Sequence, residues 1–154
     1  MVYGDAFVQE SPGTRRRIPG YCRFGADLQR PITALDTVSF HGEVQCPLNA
    51  YLNIFLLVAL YRIEKPLDFT TWGFQGLAPT PDCKPAPLSH CETSGTATVH
   101  FRGVYGVGVC LISGEGGDPL GHVTIEPACH ARLYKMDVGS VTSLFWVRYS
   151  PAGL

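Results

Sequence analysis

Charged side chains are scarce in this sequence, since Asp, Glu, Lys and Arg make up only 16% of its 154 residues. Ordinary soluble proteins carry roughly 25%. The formal net charge is −1, which excludes steering of the whole protein toward nucleic acid or anionic lipid. A small domain with so little charge is expected to expose apolar surface, and large apolar patches mark protein contacts. The alternative is a compact monomer with an exterior of Ser, Thr and Gly.

Long hydrophobic runs and helical periodicity are also absent. The longest apolar run covers residues 50–61 and contains Asn53. It is far shorter than the ~20 residues that a membrane-spanning helix needs. The sequence shows no repeat, no low-complexity tract and no convincing amphipathic helix. Its length is that of a single domain with a real core.

Recognised catalytic and phosphate-binding motifs are missing as well. The sequence has no G-x-S-x-G elbow, and the glycines around Glu115 lack the lysine and the helix of a P-loop. His41 and Glu43 share one face of a predicted strand, but an exposed polar face is the simpler interpretation, because an acid/base site also needs a cleft. We therefore predict a protein that is not an enzyme and that has no catalytic or cofactor-binding residues.

Six cysteines are scattered through the chain, at positions 22, 46, 83, 91, 110 and 129. Cys83, His90-Cys91 and Cys129-His130 offer zinc ligand types without zinc-site spacing, so no metal site is predicted. The first thirty residues lack the apolar core of a secretory signal. We therefore expect mostly reduced, buried cysteines. In an oxidising environment, Cys83 and Cys91 are the pair best suited to form a disulfide.

Period-two alternation dominates from residue 32 onward, as in half-buried strands. Inward-facing positions are predicted on the first of these strands at Val38, Phe40, Val44 and Cys46. Residues 52–61 are apolar on both faces, which favours a central strand buried on both sides. Further strands are expected near 69–74, 96–101, 105–111, 122–126, 130–135 and 141–149, with a proline-rich loop at 78–95. About eight strands predict an all-β, two-sheet antiparallel sandwich of the jelly-roll type.

Two regions are predicted to contact other molecules. Residues 1–31 contain two Pro-Gly pairs and are predicted to form an extended basic N-terminal arm, ahead of a sandwich domain at 32–154. Arg15, Arg16 and Arg17 either contact RNA phosphates as point charges or are simply solvated. The candidate subunit-interface residues are Trp72, Phe74, Leu144 and Trp146, because a lone two-layer sandwich leaves such side chains uncovered.

The last third of the chain resembles the closing strands of picorna-like capsid proteins, with small plant viruses of the comovirus and nepovirus type as the nearest likeness. The similar residues are Pro119-Leu120-Gly121-His122-Val123-Thr124-Ile125 and the strand from Ser140 to Pro151. The resemblance implies a jelly-roll subunit of an icosahedral virion that encloses RNA. It also implies other capsid subunits as partners, and the host cytoplasm as the place of assembly.

Two other classes of function stay open. One is a secreted or surface β-sandwich ligand that forms trimers, as complement-C1q-like and tumour-necrosis-factor-like domains do. The other is a small enzyme with an active site shared between subunits. A Cys83–Cys91 disulfide favours the secreted ligand, whereas six free thiols favour an intracellular shell.

Overall fold

The computed structural model describes residues 2–30, 36–48, 51–84, 88–99, 102–118 and 121–151. These residues form eleven antiparallel β-strands and one short 3-10 turn at Phe69–Thr71, which confirms the all-β class. The strands are β1 (Val2–Ser11), β2 (Thr14–Gln29), β3 (Thr37–Leu48), β4 (Tyr51–Ile63), β5 (Gly73–Leu77), β6 (Asp82–Lys84), β7 (Leu88–Thr98), β8 (Gly103–Asp118), β9 (Gly121–Ile125), β10 (Ala128–Asp137) and β11 (Ser140–Tyr149).

The strands belong to one hydrogen-bonded sheet that curls into a nearly closed barrel. Around the barrel the order is β4, β8, β9, β1, β2, β3 and β7. β5 pairs with the edge of β4 that does not pair with β8. β5 also lies against β7, but the described residues of β5 and β7 form no hydrogen-bonded ladder with each other. The finer prediction of two separate sheets in jelly-roll order is not confirmed.

A change of partner along β8 creates a branch outside the barrel. The first part of β8, from Gly103 to Leu111, pairs with β10, whereas its last four residues, from Glu115 to Asp118, pair with β9. β11 continues the branch beyond β10 and ends the sheet. One continuous part of the sheet therefore has one side toward the barrel and the other side turned outward. Its strands, in order, are β5, β4, β8, β10 and β11.

The segment predicted as an extended arm lies instead in the barrel wall. β1 and β2 pair through a tight turn at Pro12-Gly13, where Gly13 has a φ of 81° that glycine adopts readily. Val8 and Phe24 are both 0% exposed. The Pro12-Gly13 pair, which is also typical of irregular segments, marks a hairpin turn here. The described part of residues 1–31 therefore belongs to the same domain as the rest.

The barrel interior is built from alternating side chains that the sequence predicts correctly. Four residues of β3 are each at most 1% exposed: Val38, Phe40, Val44 and Cys46. Gly42 lies among them, and a Cβ at this position would come within 2.6 Å of Val58 and 2.9 Å of Val109. Glycine therefore allows β3 to approach β4 and β8 closely across the barrel.

β4 is buried on both sides, as its continuous apolar sequence predicts. Val58 and Leu60 point into the barrel and belong to the main core. Ala59 and Ile63 point outward and are 5% and 6% exposed. The strand therefore joins two hydrophobic clusters, one inside the barrel and one outside it.

All six cysteines form disulfides, so the prediction of mostly reduced cysteines is wrong. The pairs are Cys22–Cys46, Cys83–Cys91 and Cys110–Cys129, with Cα–Cα distances of 4.3, 4.1 and 4.1 Å. Each pair joins neighbouring antiparallel strands. Cys83 lies directly opposite Cys91, and Cys110 directly opposite Cys129. Cys22 and Cys46 are next to Arg23 and Gln45, which pair with each other. Such pairs depend on strand register, which scattered sequence positions do not reveal. The favoured Cys83–Cys91 pair is confirmed.

Two local predictions are corrected by the structure. Phe69–Thr71 is a 3-10 turn, and β5 begins only at Gly73. The predicted loop at 78–95 contains β6 and most of β7, and residues 85–87 lie outside the described part. β6 is a three-residue strand at the edge of the sheet, where neighbouring prolines disturb few hydrogen bonds.

Candidate interaction surface

A second hydrophobic cluster lies on the outward side of β4, β8, β10 and β11. Its buried members are Ile63, Cys110, Cys129, Ala131, Leu133 and Tyr149. The partly buried residues that pack against them are Leu57, Tyr61, Phe69, Trp72, Val104, Ile112 and Val147. Successive side chains of a strand point to opposite sides, so strands that are apolar at every position supply both this cluster and the barrel core.

The loop between β4 and β5 covers the centre of this cluster with aromatic rings. Phe69 stacks on Tyr149 with 5.0 Å between ring centroids, and Trp72 lies 5.2 Å from the same ring. The loop is fixed by polar contacts. Asp68 accepts a hydrogen bond from the Thr70 N–H at 3.1 Å, and the Trp72 indole N–H donates to the Lys65 carbonyl at 2.9 Å.

Tyr149 lies at the bottom of the cluster and is 6% exposed. Its hydroxyl is 3.2 Å from the sulfur of Cys110, and it is the donor because a disulfide sulfur carries no proton. Burial and the neighbouring Tyr61 raise the pKa of Tyr149 above its ordinary value. A Cβ at Gly108 would lie 2.2 Å from the Tyr149 oxygen, so glycine is required there to admit the hydroxyl.

The cluster is uncovered at its margins. The exposed fractions are 54% for Phe55, 63% for Phe74, 56% for Leu77, 43% for Leu144 and 51% for Phe145. Phe55 shares a side of β4 with Leu57 and Tyr61 by strand alternation. Leu77 lies opposite Ala59, and Phe74 opposite Tyr61. We call the second cluster together with these five exposed residues the outer apolar face.

A β-bulge in β11 explains why two adjacent apolar residues are exposed at the sheet edge. Arg132 pairs with Trp146 and Tyr134 with Ser143, so Leu144 and Phe145 both lie opposite a single residue of β10. The bulge also changes which side the strand presents. Val141 packs against the main core, whereas Val147 and Tyr149 belong to the outer cluster. The apolar residues of β11 are therefore divided between two clusters.

The structure places the four candidate interface residues in different surroundings. Trp72 is partly buried against its own chain, between Tyr61 and Tyr149. Phe74 and Leu144 are exposed on the outer apolar face. Trp146 is partly buried and pairs with Arg132.

Sequence reasoning missed three exposed residues of this face: Phe55, Leu77 and Phe145. Phe55 lies in a continuous apolar run, and nothing in the sequence distinguishes this exposed residue from its buried neighbours. Phe145 is exposed at a bulge, and the position of a bulge depends on the partner strand.

The three arginines of β2 do not form one basic patch. Arg16 points to the opposite side of the strand from Arg15 and Arg17. Arg15 lies 3.9 Å from the centroid of the Phe7 ring. Arg17 pairs with Asp5, and the Gly20 N–H together with Arg17 lowers the pKa of that carboxyl.

Buried tyrosines predict a loss of stability at alkaline pH. Burial raises the pKa of Tyr134 from 10.0 to about 12, despite the opposing effect of Arg132. Between these values the unfolded chain loses the tyrosine proton and the folded chain keeps it, so the free energy of unfolding falls as pH rises. Denaturant unfolding should show this decrease from about pH 10 to about pH 12, and Tyr134→Phe should weaken it. A stability that is independent of pH over that range would contradict the assignment.

No family model, curated protein or solved structure matches this chain. Within the described ranges, no helix is long and apolar enough to span a membrane. The geometry of the chain itself is therefore the basis on which a function can be proposed.

Proposed function

We propose that this protein is a structural subunit that associates with further copies of itself through the outer apolar face. The observation that carries the proposal is a strand surface with exposed apolar residues and no charge at its centre. The positions that alternate outward from Phe55 to Ile63 on β4, and from Cys129 to Leu133 on β10, include no acidic or basic side chain. Apolar area of this kind is stabilised by removal from water.

A second copy of the chain is the occupant that fits this face best. Two uncharged faces pack about a two-fold axis without like-charge contacts. The strand at the margin of this face carries little charge as well, since Arg148 is the only charged residue in the ten residues of β11.

The disulfides favour an oxidising setting for the subunit, because such bonds are rare in reducing compartments. They therefore support the alternative of a secreted or surface β-sandwich ligand, a class in which small oligomers such as trimers form. The capsid hypothesis shares the apolar contacts but adds a jelly roll, a closed shell in the virion and RNA bound near Arg15, Arg16 and Arg17. The two proposals differ in the size of the assembly.

Sedimentation velocity of the oxidised protein over a range of concentrations tests the proposal. A standard interface takes about 800 Å² from each partner, roughly a tenth of the 8310 Å² surface of this chain. The two-fold packing predicts a reversible dimer, and a trimer would instead favour the arrangement of the trimeric β-sandwich ligands. Closed particles in electron microscopy would favour the capsid proposal, and a monomer at every concentration would contradict both.

A further inference from the structure

Four titratable side chains converge on the outer side of β3 and β7, away from the outer apolar face. They are His41 and Glu43 on β3, and His90 and Glu92 on β7. Glu43 lies directly opposite Glu92 in the strand register. Like charges at directly opposite positions destabilise a sheet, so a positive charge between these two carboxylates would stabilise the strand pair.

Three distances between these side chains are close to the edge length of a tetrahedron around a metal ion. His90 Nε2 lies 3.1 Å from a Glu43 oxygen and 3.6 Å from a Glu92 oxygen, and the same Glu92 oxygen lies 3.7 Å from His41 Nε2. The two longer distances exceed those of hydrogen bonds. Zinc bonds of 2.0–2.2 Å place neighbouring tetrahedral ligand atoms about 3.3–3.6 Å apart.

Three of the four residues offer ligand atoms that lie close to one another, and His90 lies within 3.6 Å of two of these residues. One atom each from His41, Glu43 and Glu92 all lie within 4.8 Å of one another. The Nδ1 atom of His41 is 2.6 Å from the Ser94 hydroxyl oxygen. When Nδ1 donates a hydrogen bond to that oxygen, the Nε2 lone pair on the side of Glu92 is available to bind a metal ion. Histidine ligands of metals are commonly oriented in this way by a partner at their other ring nitrogen.

The neighbouring strand leaves space for the cluster. Gly25 on β2 lies opposite Glu43, and a Cβ at Gly25 would come within 2.8 Å of a Glu43 carboxylate oxygen. Asp27 lies opposite His41 and adds further negative charge. The four groups are partly exposed, at 17–41% of their side-chain surface, so an ion has access from solvent.

We propose that His41, Glu43, His90 and Glu92 bind a divalent transition-metal ion such as Zn²⁺, which joins β3 to β7. Two imidazoles and two carboxylates suit zinc, and their summed charge balances the ion. The role is structural, since the ion neutralises Glu43 and Glu92 and ties two neighbouring strands of the barrel. Binding of the ion at this site does not depend on self-association.

Titration of the full oxidised chain with zinc chloride tests this site, by calorimetry and by thermal unfolding. We expect one ion per chain and a higher melting temperature. The double variant His41→Ala with His90→Ala should weaken zinc binding more than about tenfold. Loss of a residue that only orients a metal ligand already costs about 10- to 100-fold in affinity, and these two histidines are direct ligands. Glu115→Gln is the matched control, because Glu115 also lies near a histidine, 3.9 Å from His122, on the exposed β8–β9 pair.

A second variant separates loss of the site from loss of the fold. Glu92→Gln removes one of the two negative charges that face each other across β3 and β7. It should therefore raise the stability of the metal-free protein and abolish the stabilisation by zinc. Equal zinc affinity in Glu92→Gln and Glu115→Gln would overturn the proposal. Zinc binding that survives the double histidine change, or no stoichiometric binding to the unaltered protein, would overturn it as well.

Discussion

Reduction of the three disulfides at neutral pH is expected to unfold most of the molecules. The pairs are separated by 24, 8 and 19 residues, and chain entropy assigns roughly 2.5 to 3.5 kcal/mol to each such bond. A single domain has a free energy of unfolding of about 5–15 kcal/mol, so loss of all three removes much or all of it. Near-ultraviolet circular dichroism before and after reduction measures the effect.

Paired alanine variants provide the matched comparison. Cys22 and Cys46 are at most 1% exposed and lie in the barrel core, so Cys22→Ala with Cys46→Ala should cost about 3 kcal/mol or more. Cys83 is exposed and closes a short loop. Its removal together with Cys91 should cost less, and the fold should persist. A fully reduced chain that unfolds at the same denaturant concentration as the oxidised one would contradict the contribution assigned to these bonds.

Phe145→Glu is expected to weaken self-association about 30-fold or more, which corresponds to the ~2 kcal/mol loss typical of a central interface residue. Phe145 is half exposed in the single chain, so a carboxylate there remains solvated in the monomer and is desolvated only when a second copy packs on it. Sedimentation equilibrium gives the change in dissociation constant.

Tyr3→Glu is the control for this experiment. Tyr3 is an aromatic residue of β1, and its exposed fraction of 57% is similar to that of Phe145. The same charge at this position should leave association within about twofold, because Tyr3 does not belong to the outer apolar face. Equal weakening by both variants would indicate a general charge effect rather than contact at β11.

Strand identity was predictable where one periodicity dominates. The alternation from Val38 to Cys46 and the continuous apolar run of β4 both describe the observed burial. The first thirty residues were harder, because Pro12-Gly13 is equally typical of an irregular arm and of a hairpin turn. Local sequence did not distinguish them, and the difference is set by the pairing of β1 with β9 far along the chain.

The candidate surfaces depend on register more than on composition. Scarce charge correctly indicated exposed apolar residues such as Phe74 and Leu144. The bulge that exposes Phe145, and the alignment that brings Glu43 opposite Glu92, follow from how two strands are paired. No single strand contains that information, so neither the full outer apolar face nor the His/Glu cluster was accessible from the sequence.

Hydrogen exchange at low and high protein concentration tests the central claim most directly, because it reports where copies of the chain meet. The account predicts slower exchange at high concentration in peptides from β11 and β5, with the β1–β2 turn around Gly13 unchanged. Exchange that does not depend on concentration anywhere, or protection confined to that turn, would contradict association through the outer apolar face.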